Sequence, residues 1–345
     1  MAVALNEYVV SNDILDDAGG MRERMDREGY LFFRELVDPE SNWRTRRDVL
    51  EVLQRANWLM DGAELIDGIA NGERVYVEPE PDFLEVYQEV QKVESFHGLA
   101  HSREILDVME TLAGEEVLPH PAKIGRLMFP QNNQHATPPH QDFVHIQGTT
   151  ETYTCWMPLG DCPRELGGLS VLPRSHRKGV HSYHLSLGAG GMGVDDEHLQ
   201  GDWLTTDYNA GDALIVHSLT VHQSIANSTP DRMRISADYR YKGVSEPILD
   251  TFLMPHYSTS WDDIYPGWDS TEFQYYWQKQ DVRFGERDWS YYDKRDAEAL
   301  ERARKGDQTT RPALNRIMVR DTRPEKRQAA REALSMLDDV SHGKR

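Results

Sequence analysis

From about residue 118 the sequence breaks into short apolar or alternating runs parted by turn signals. No other feature constrains the fold as much. The runs are "KIGRLMFP", "VHIQG", "TYTCWMPL", "LSVLP", "DYNAGDALIVH" and "RMRISADYRYKG", punctuated by Gly148, Gly160, Gly167, Gly168, Gly179 and Gly211. Short strands at this spacing predict an antiparallel barrel or sandwich, because a parallel sheet would need helical crossovers between them. The segment "LSLGAGGMGVDDE" reads as a flexible insertion.

Ahead of this region the chain is α-rich. Residues 12–28 read as a helix with Asn12 as cap and Gly29 as stop, and "YLFFREL" as a short strand. Residues 40–56 read as a second helix, and 83–113 as a long amphipathic one with Leu84, Val86, Tyr87, Val90 and Val93 at helical spacing. Three parts follow. Residues 1–117 are helices and first strands packing on the barrel, 118–248 the all-β core, and 249–345 an aromatic-rich, helical extension, all within one structural domain. The aromatics of 252–292, among them Trp261, Trp268, Trp277 and Trp289, read first as an appendage on the barrel exterior, and second as a substrate lid or subunit interface. The charged remainder should end in helix with a frayed tip.

Composition narrows the class. A chain of 345 residues with 39% hydrophobic content, 8 Trp and 15 Tyr can bury a sizeable core. No basic stretch leads into an apolar run near the start, and no run approaches the length of a membrane span, so the expectation is a cytoplasmic protein without membrane partners. Cys155 and Cys162 are too few for a disulfide framework and read as free thiols. The net charge of −20 is concentrated in residues 1–280, with 22 Lys+Arg against 45 Asp+Glu. An acidic body repels phosphate backbones and argues against a nucleic-acid partner.

The chemistry begins in "ATPPHQDFVH". On a strand, residues i and i+2 share a face, so His140 and Asp142 can both project into a barrel interior. Alone, such a pair is usually a surface feature. A third donor, His222, follows 80 residues on, and two His with one carboxylate on one face of a metal is the arrangement of non-haem Fe(II) oxygenases. The open coordination positions there take a co-substrate and O2. A 2-oxo acid co-substrate also needs a cation for its distal carboxylate, and arginine fits one bidentately. Arg234, with Ser236 two positions on, has that form, with Arg232 as competitor. His217 reads as packed within "ALIVH", His135 and His145 as flanking groups, His176 as a turn organiser and Asp212 as a turn residue. His181 and His184 lack a carboxylate at a fitting interval.

The pieces "HQD" at 140–142, "TCWMPLGD" at 154–161, "ELGGLSVLPRSH" at 165–176, "AGDALIVHSLTVHQSIAN" at 210–227 and "RMRIS" at 232–236 occur in an order that resembles the phytanoyl-CoA dioxygenase family. "MDREGYLFFRELVD" is similar to that family's opening helix and strand. The resemblance implies a double-stranded β-helix (jelly-roll, cupin-like) core and an Fe(II)/2-oxoglutarate-dependent hydroxylase. It implies His140, Asp142 and His222 as iron ligands, Arg234 as the clamp on 2-oxoglutarate, and Ser224 and Trp156 as further walls, with Thr154 on the Trp156 face. It also implies a small-molecule substrate, a metabolite or natural-product intermediate. Chlorinating relatives lack the carboxylate, so Asp142 favours hydroxylation, desaturation or ring closure. The acidic body favours a neutral or cationic substrate over a CoA thioester, with contacts expected from Gln134, Phe143, His145 and the 252–292 region. Two other readings are a cupin-like metalloenzyme that does not use 2-oxoglutarate and a non-catalytic jelly-roll binding module. No oligomeric state follows from the sequence.

Overall fold

A computed structural model describes residues 5–257 and 260–341. Its strands are β1 (Tyr30–Phe33), β2 (Val117–Pro119), β3 (Ile124–Met128), β4 (Thr152–Pro158), β5 (Leu169–Val171), β6 (Tyr183–Leu185), β7 (Met192–Val194), β8 (Ala213–His217), β9 (His222–Ser224) and β10 (Arg234–Gly243). The larger sheet is antiparallel in the order β1-β8-β4-β10-β2, with β3 also paired to β10. A smaller sheet pairs β5 with β9 and is extended by bridges between His140 and His222 and between Val171 and Leu204. This is a double-stranded β-helix, flanked by helices.

The larger sheet is covered on both faces, and strand alternation sorts its residues between them. Tyr30, Phe32, Trp156, Leu214 and Val216 point toward the smaller sheet and pack with Leu166, Leu169 and Val171. Leu31, Phe33, Cys155, Met157, Ala213 and Ile215 point the other way, into a helical layer. On β10 the split is chemical. Ile235, Ala237, Tyr239 and Tyr241 join the helical layer, while Arg234, Ser236, Asp238, Arg240 and Lys242 are all buried on the inner face. A row of buried charges between two sheets marks where function sits, since buried charge is costly unless something pairs with it.

The helical layer is α1 (Ala18–Glu28), α2 (Pro39–Arg55), α3 (Pro81–Val90), α4 (Glu94–Gly98) and α5 (Arg103–Ala113). α2 begins where expected, with Pro39 in its first turn and the Asp38 carboxylate accepting from the Glu40 and Ser41 amides. α1 begins six residues later than Asn12. Residues 12–14 form a separate 3-10 turn, and Asp17 accepts from Gly20 N as the true cap, while Gly29 at φ 80° ends the helix as expected. Leu50, Leu53, Phe83, Phe96, Ile105 and Met109 are buried against the sheet. Each contributes roughly 1.5–3 kcal/mol by leaving water.

Residues 83–113 are not one helix. The chain breaks after Val90 and again before Arg103, and the breaks free backbone carbonyls that a continuous helix would consume. Tyr239 and Tyr241 donate to two of them, Phe96 O and Ala100 O, each at 2.7 Å, so the strand and the broken helix are bolted together. Two further expectations fail in the core. "VHIQG" lies at α6 (Phe143–Ile146), a single helical turn, rather than on a strand. The glycine-rich insertion carries the β6–β7 hairpin, whose Met192 and Val194 are buried with Val144 and Tyr292.

The C-terminal part holds α7 (Trp261–Ile264), α8 (Ser290–Arg304), α9 (Arg311–Arg320) and α10 (Pro324–Ser341). Trp261, Tyr265 and Trp277 pack together with Leu118 of β2. Helices α8, α9 and α10 meet through Ala299, Ala303, Ala313, Ala330 and Ala333 with Leu314, Ile317 and Leu337. The tip beyond Ser341 lies outside the described residues. Among those described, no helix is long and apolar enough to cross a membrane.

Candidate metal centre

His140 and His222 face each other across a two-bond bridge, His140 N to His222 O at 2.9 Å and His222 N to His140 O at 3.0 Å. Their rings lie 4.2 Å apart between centroids. Each Nδ1 is held by a carbonyl two residues back, Pro138 O at 2.8 Å and Thr220 O at 2.9 Å. With Nδ1–H donating to those carbonyls, each Nε2 keeps its lone pair free for a metal. Asp142 does not share a strand with His140; it opens the α6 turn in αR conformation. The rigidity expected of a strand comes instead from Gln141 between them. Its amide donates to Gly179 O and Leu219 O and accepts from His181 N and Tyr183 Oη, pinning the loop from both sides.

One donor atom from each of His140, Asp142 and His222 lies within 4.8 Å of the others, and all three residues are buried. These three could hold a metal ion. No other such group of His, Cys, Asp and Glu occurs among the described residues. Burial works against the Asp142 carboxylate, but Arg240 and the two imidazoles outweigh it and hold its pKa well below the usual carboxylate range. Burial, then the neighbouring His140, pulls His222 down to about 4, so its imidazole is neutral near pH 7 and free to bind metal. Thr154 Oγ1 donates to Asp142 Oδ2 at 2.6 Å, and Arg240 Nη2 to Oδ1 at 3.1 Å. Thr154 therefore orients the carboxylate, a task beyond the wall expected of it.

Beyond the triad runs a narrow slot of about 20 Å3, walled in part by Thr154, Trp156, Leu169, His222, Ser224 and Arg234. Arg234 Nη2 donates to Ser224 Oγ at 3.1 Å and its guanidinium lies 5.9 Å from the Trp156 ring centroid. Its Nε and Nη1 are buried with no partner. A buried guanidinium with two empty donors, across a slot from three metal-ligating groups, fits a molecule that chelates a metal at one end and carries a carboxylate at the other. The slot has room for about one water. Its side chains must part by rotamer shifts to admit such a chain. Arg232 is exposed, and its carbonyl accepts from Asn227 and Thr229. Ser236 is buried on the Arg234 face, but its hydroxyl meets no partner and does not wall the slot; Ser224 is the hydroxyl on the guanidinium.

The phytanoyl-CoA dioxygenase (PhyH) family matches residues 25–236. The chain belongs to this family. It is an Fe(II)/2-oxoglutarate-dependent oxygenase acting on a small molecule. Two similar sequences are 1-deoxypentalenic acid 11-beta-hydroxylases, from Streptomyces exfoliatus and Streptomyces arenae. The first is 27% identical over 261 residues, covering 71% of this chain and 88% of the relative. The second is 25% identical over 264 residues, with the same coverage of each. Among solved structures, EctD from S. alaskensis with bound Fe aligns with a TM-score of 0.48 and 19% identity, covering 75% of this chain and 86% of that one.

Outward from the triad, this family member opens into a chamber of about 290 Å3 that reaches His140 and Asp142. His145 lines it, with burial and His140 pressing its pKa well below the usual imidazole value. Gln134 and Phe143, expected to touch substrate, do not line it. From 252–292 only the ends do so, through Phe252, His256, Tyr257, Arg287, Trp289 and Tyr292. Helices α8 and α9 add Arg295, Arg316, Ile317 and Arg320, and β3, β10 and the β6–β7 turn supply further wall through Ile124, Arg126, Arg240 and Gly190. The acidity of the body does not extend inside: Arg126, Arg240, Arg287, Arg295, Arg316 and Arg320 line the chamber against Glu78, Asp142 and Asp321. A cationic substrate is therefore disfavoured.

Other sequence candidates have structural partners. His217 Nδ1 accepts from Leu219 N, and His176 Nε2 contacts Asp26 O at 2.9 Å. His181 stacks on His198, and His184 pairs with Asp195. Asp212 locks its turn to β1 through Glu35 N and Arg34. Gln141 and Arg240 escaped the sequence reading. Arg240 could have been found by stepping along β10 from Arg234 with period two.

Proposed function

We propose that His140, Asp142 and His222 hold the iron, that Arg234 with Ser224 receives the distal carboxylate of 2-oxoglutarate, and that the enzyme hydroxylates a C–H bond of a natural-product intermediate. The observation that carries this is the pair of empty Arg234 donors in a slot that begins at the metal-ligating atoms. A metal site with no use for 2-oxoglutarate would have no reason to bury a cation there. When bound, Fe(II) and 2-oxoglutarate supply the oxidation, turning O2, co-substrate and substrate into succinate, CO2 and hydroxylated product.

The chain's own residues do the rest. Thr154 and Arg240 fix the Asp142 carboxylate, and the Pro138 and Thr220 carbonyls fix the imidazole tautomers. Trp156 faces the Arg234 guanidinium and keeps water from it. The presence of Asp142 favours hydroxylation over halide transfer. The Streptomyces relatives, which are 1-deoxypentalenic acid 11-beta-hydroxylases, support hydroxylation as the reaction. We also assign residues 249–345 to the same structural unit as the core, since they supply chamber wall, and the buried free thiols Cys155 and Cys162 fit a reducing, cytoplasmic setting.

The test is anaerobic titration of the metal-free protein with Fe(II), then 2-oxoglutarate, followed by the visible charge-transfer band and paired with His140→Ala. A band in the wild type alone supports the assignment. Iron binding without a band removes 2-oxoglutarate from it, and no iron binding removes the metal.

A further inference from the structure

The chamber's arginines are unequally compensated. Arg126 pairs with Asp238 and Glu78, Arg240 with Asp142, and Arg295 with Asp296. Arg316 of α9 makes no such ion pair among the described residues; the nearest favourable carboxylate, Glu78, is already paired with Arg126. It is 2% exposed, and its Nη2 donates only to the backbone carbonyls of Gly188 and Glu78. Its Nε and Nη1 are buried without any partner. One turn on, Arg320 lies on the same face of α9, exposed, with its guanidinium 4.5 Å from the Tyr257 ring centroid.

A guanidinium taken out of water without an anion in direct contact is costly, and nothing in the packing requires one here, because two backbone carbonyls could be met by a neutral donor. Room has been left beside it. A Cβ at Gly191, φ 68°, would lie 3.0 Å from Arg316 Nη1. Apolar side chains, including Ile146, Phe252, Trp289 and Ile317, lie between the paired charges of the chamber wall.

We propose that Arg316, assisted by Arg320, binds a carboxylate on the substrate, so that the enzyme takes an apolar carboxylic acid and holds it by its acid group across the chamber from the metal-ligating residues. This rests on the oxygenase reading above and names its substrate class. The carboxylate is the handle and the apolar skeleton carries the C–H bond presented to the metal. Placing the anion on α9 puts selectivity outside the residues that the family match covers.

The experiment uses full-length protein loaded with Fe(II) and 2-oxoglutarate without oxygen. Calorimetry compares adamantane carboxylate with adamantane methanol and with the corresponding ammonium compound. The wild type should bind the acid at least about tenfold more tightly than the alcohol, as a charge-assisted pair implies. Arg316→Gln should erase that preference, Arg316→Lys should restore part of it, and Arg320→Gln should reduce it less. Equal affinity for acid and alcohol, no binding of the acid at millimolar concentration, or a preference that survives in Arg316→Gln each overturn the proposal. The charge-transfer band separates the two levels. If it forms in wild type and Arg316→Gln alike while the acid preference is absent, only the carboxylate inference fails. If it never forms, the oxygenase site itself fails.

Discussion

Replacing Arg234 by leucine should abolish co-substrate binding without disturbing the metal. Two guanidinium donors, Nε and Nη1, are unpaired in the slot, and Nη2 already holds Ser224. Charge-assisted hydrogen bonds contribute about 1.5–3 kcal/mol each, so the two empty donors correspond to about 3–6 kcal/mol, a weakening of 2-oxoglutarate binding of about 10²–10⁴. Arg234 donates to none of His140, Asp142 and His222, so iron affinity should hold. Thermal stability should fall little, because losing an uncompensated buried cation offsets the lost packing. The assay is titration of iron-loaded Arg234→Leu with 2-oxoglutarate under argon, beside Arg232→Leu, which alters an exposed residue. A Kd within about threefold of wild type for Arg234→Leu, or a loss seen with Arg232→Leu instead, refutes the reasoning.

Thr154→Val removes the 2.6 Å bond to Asp142 Oδ2 and should lower metal affinity about 10–100-fold, read by competition with a chelating dye; unchanged affinity would show that Arg240 alone orients the carboxylate. Lys123 is buried, and burial lowers its pKa from 10.5 to about 7. The folded protein thus binds fewer protons than the unfolded chain between those values, and this group makes stability rise with pH across that window. Lys123→Met should be the more stable protein at pH 7, by several kcal/mol, with the gap closing toward pH 10 in urea melts. A gap independent of pH counts against it. Gly188, at φ 86°, packs on the Ala136 carbonyl, and Gly188→Ala should cost about 1–3 kcal/mol in the same assay; a neutral outcome would mean that the hairpin turn yields freely.

Arg234, Ser224, Trp156 and the three metal-ligating candidates could be singled out because they lie within sequence motifs whose order carries the chemistry, and folding brings all six to one slot. The helix breaks within 83–113 were not, since side-chain periodicity counts apolar faces and is blind to the Tyr239 and Tyr241 hydroxyls that take the freed carbonyls. The β6–β7 hairpin was hidden because Gly188, Gly190 and Gly191 read as flexibility, whereas their positive φ values shape a turn packed against the site. Asp238 and Arg240 sit where an alternating strand would place its solvent face; only a second sheet turns that face inward. The α9 arginines were the least accessible, because a helix rich in charge reads as solvated until folding brings it over His140.

The two walls of the chamber differ in how they are fastened, and this governs where the molecule breathes. β10 is paired along both edges, and its outer tyrosines are bolted to the helical layer. The opposite wall, α8 and α9, is packed with α10 largely through alanines, each removing little apolar surface from water. Amide exchange should therefore be slowest at residues 235–241 and far faster across α9 and α10, which open as a unit at lower free energy. Oxidation chemistry needs a floor that stays put, whereas a buried chamber needs a door. The strands are expected to be that floor, and the alanine-packed helices the wall that opens first.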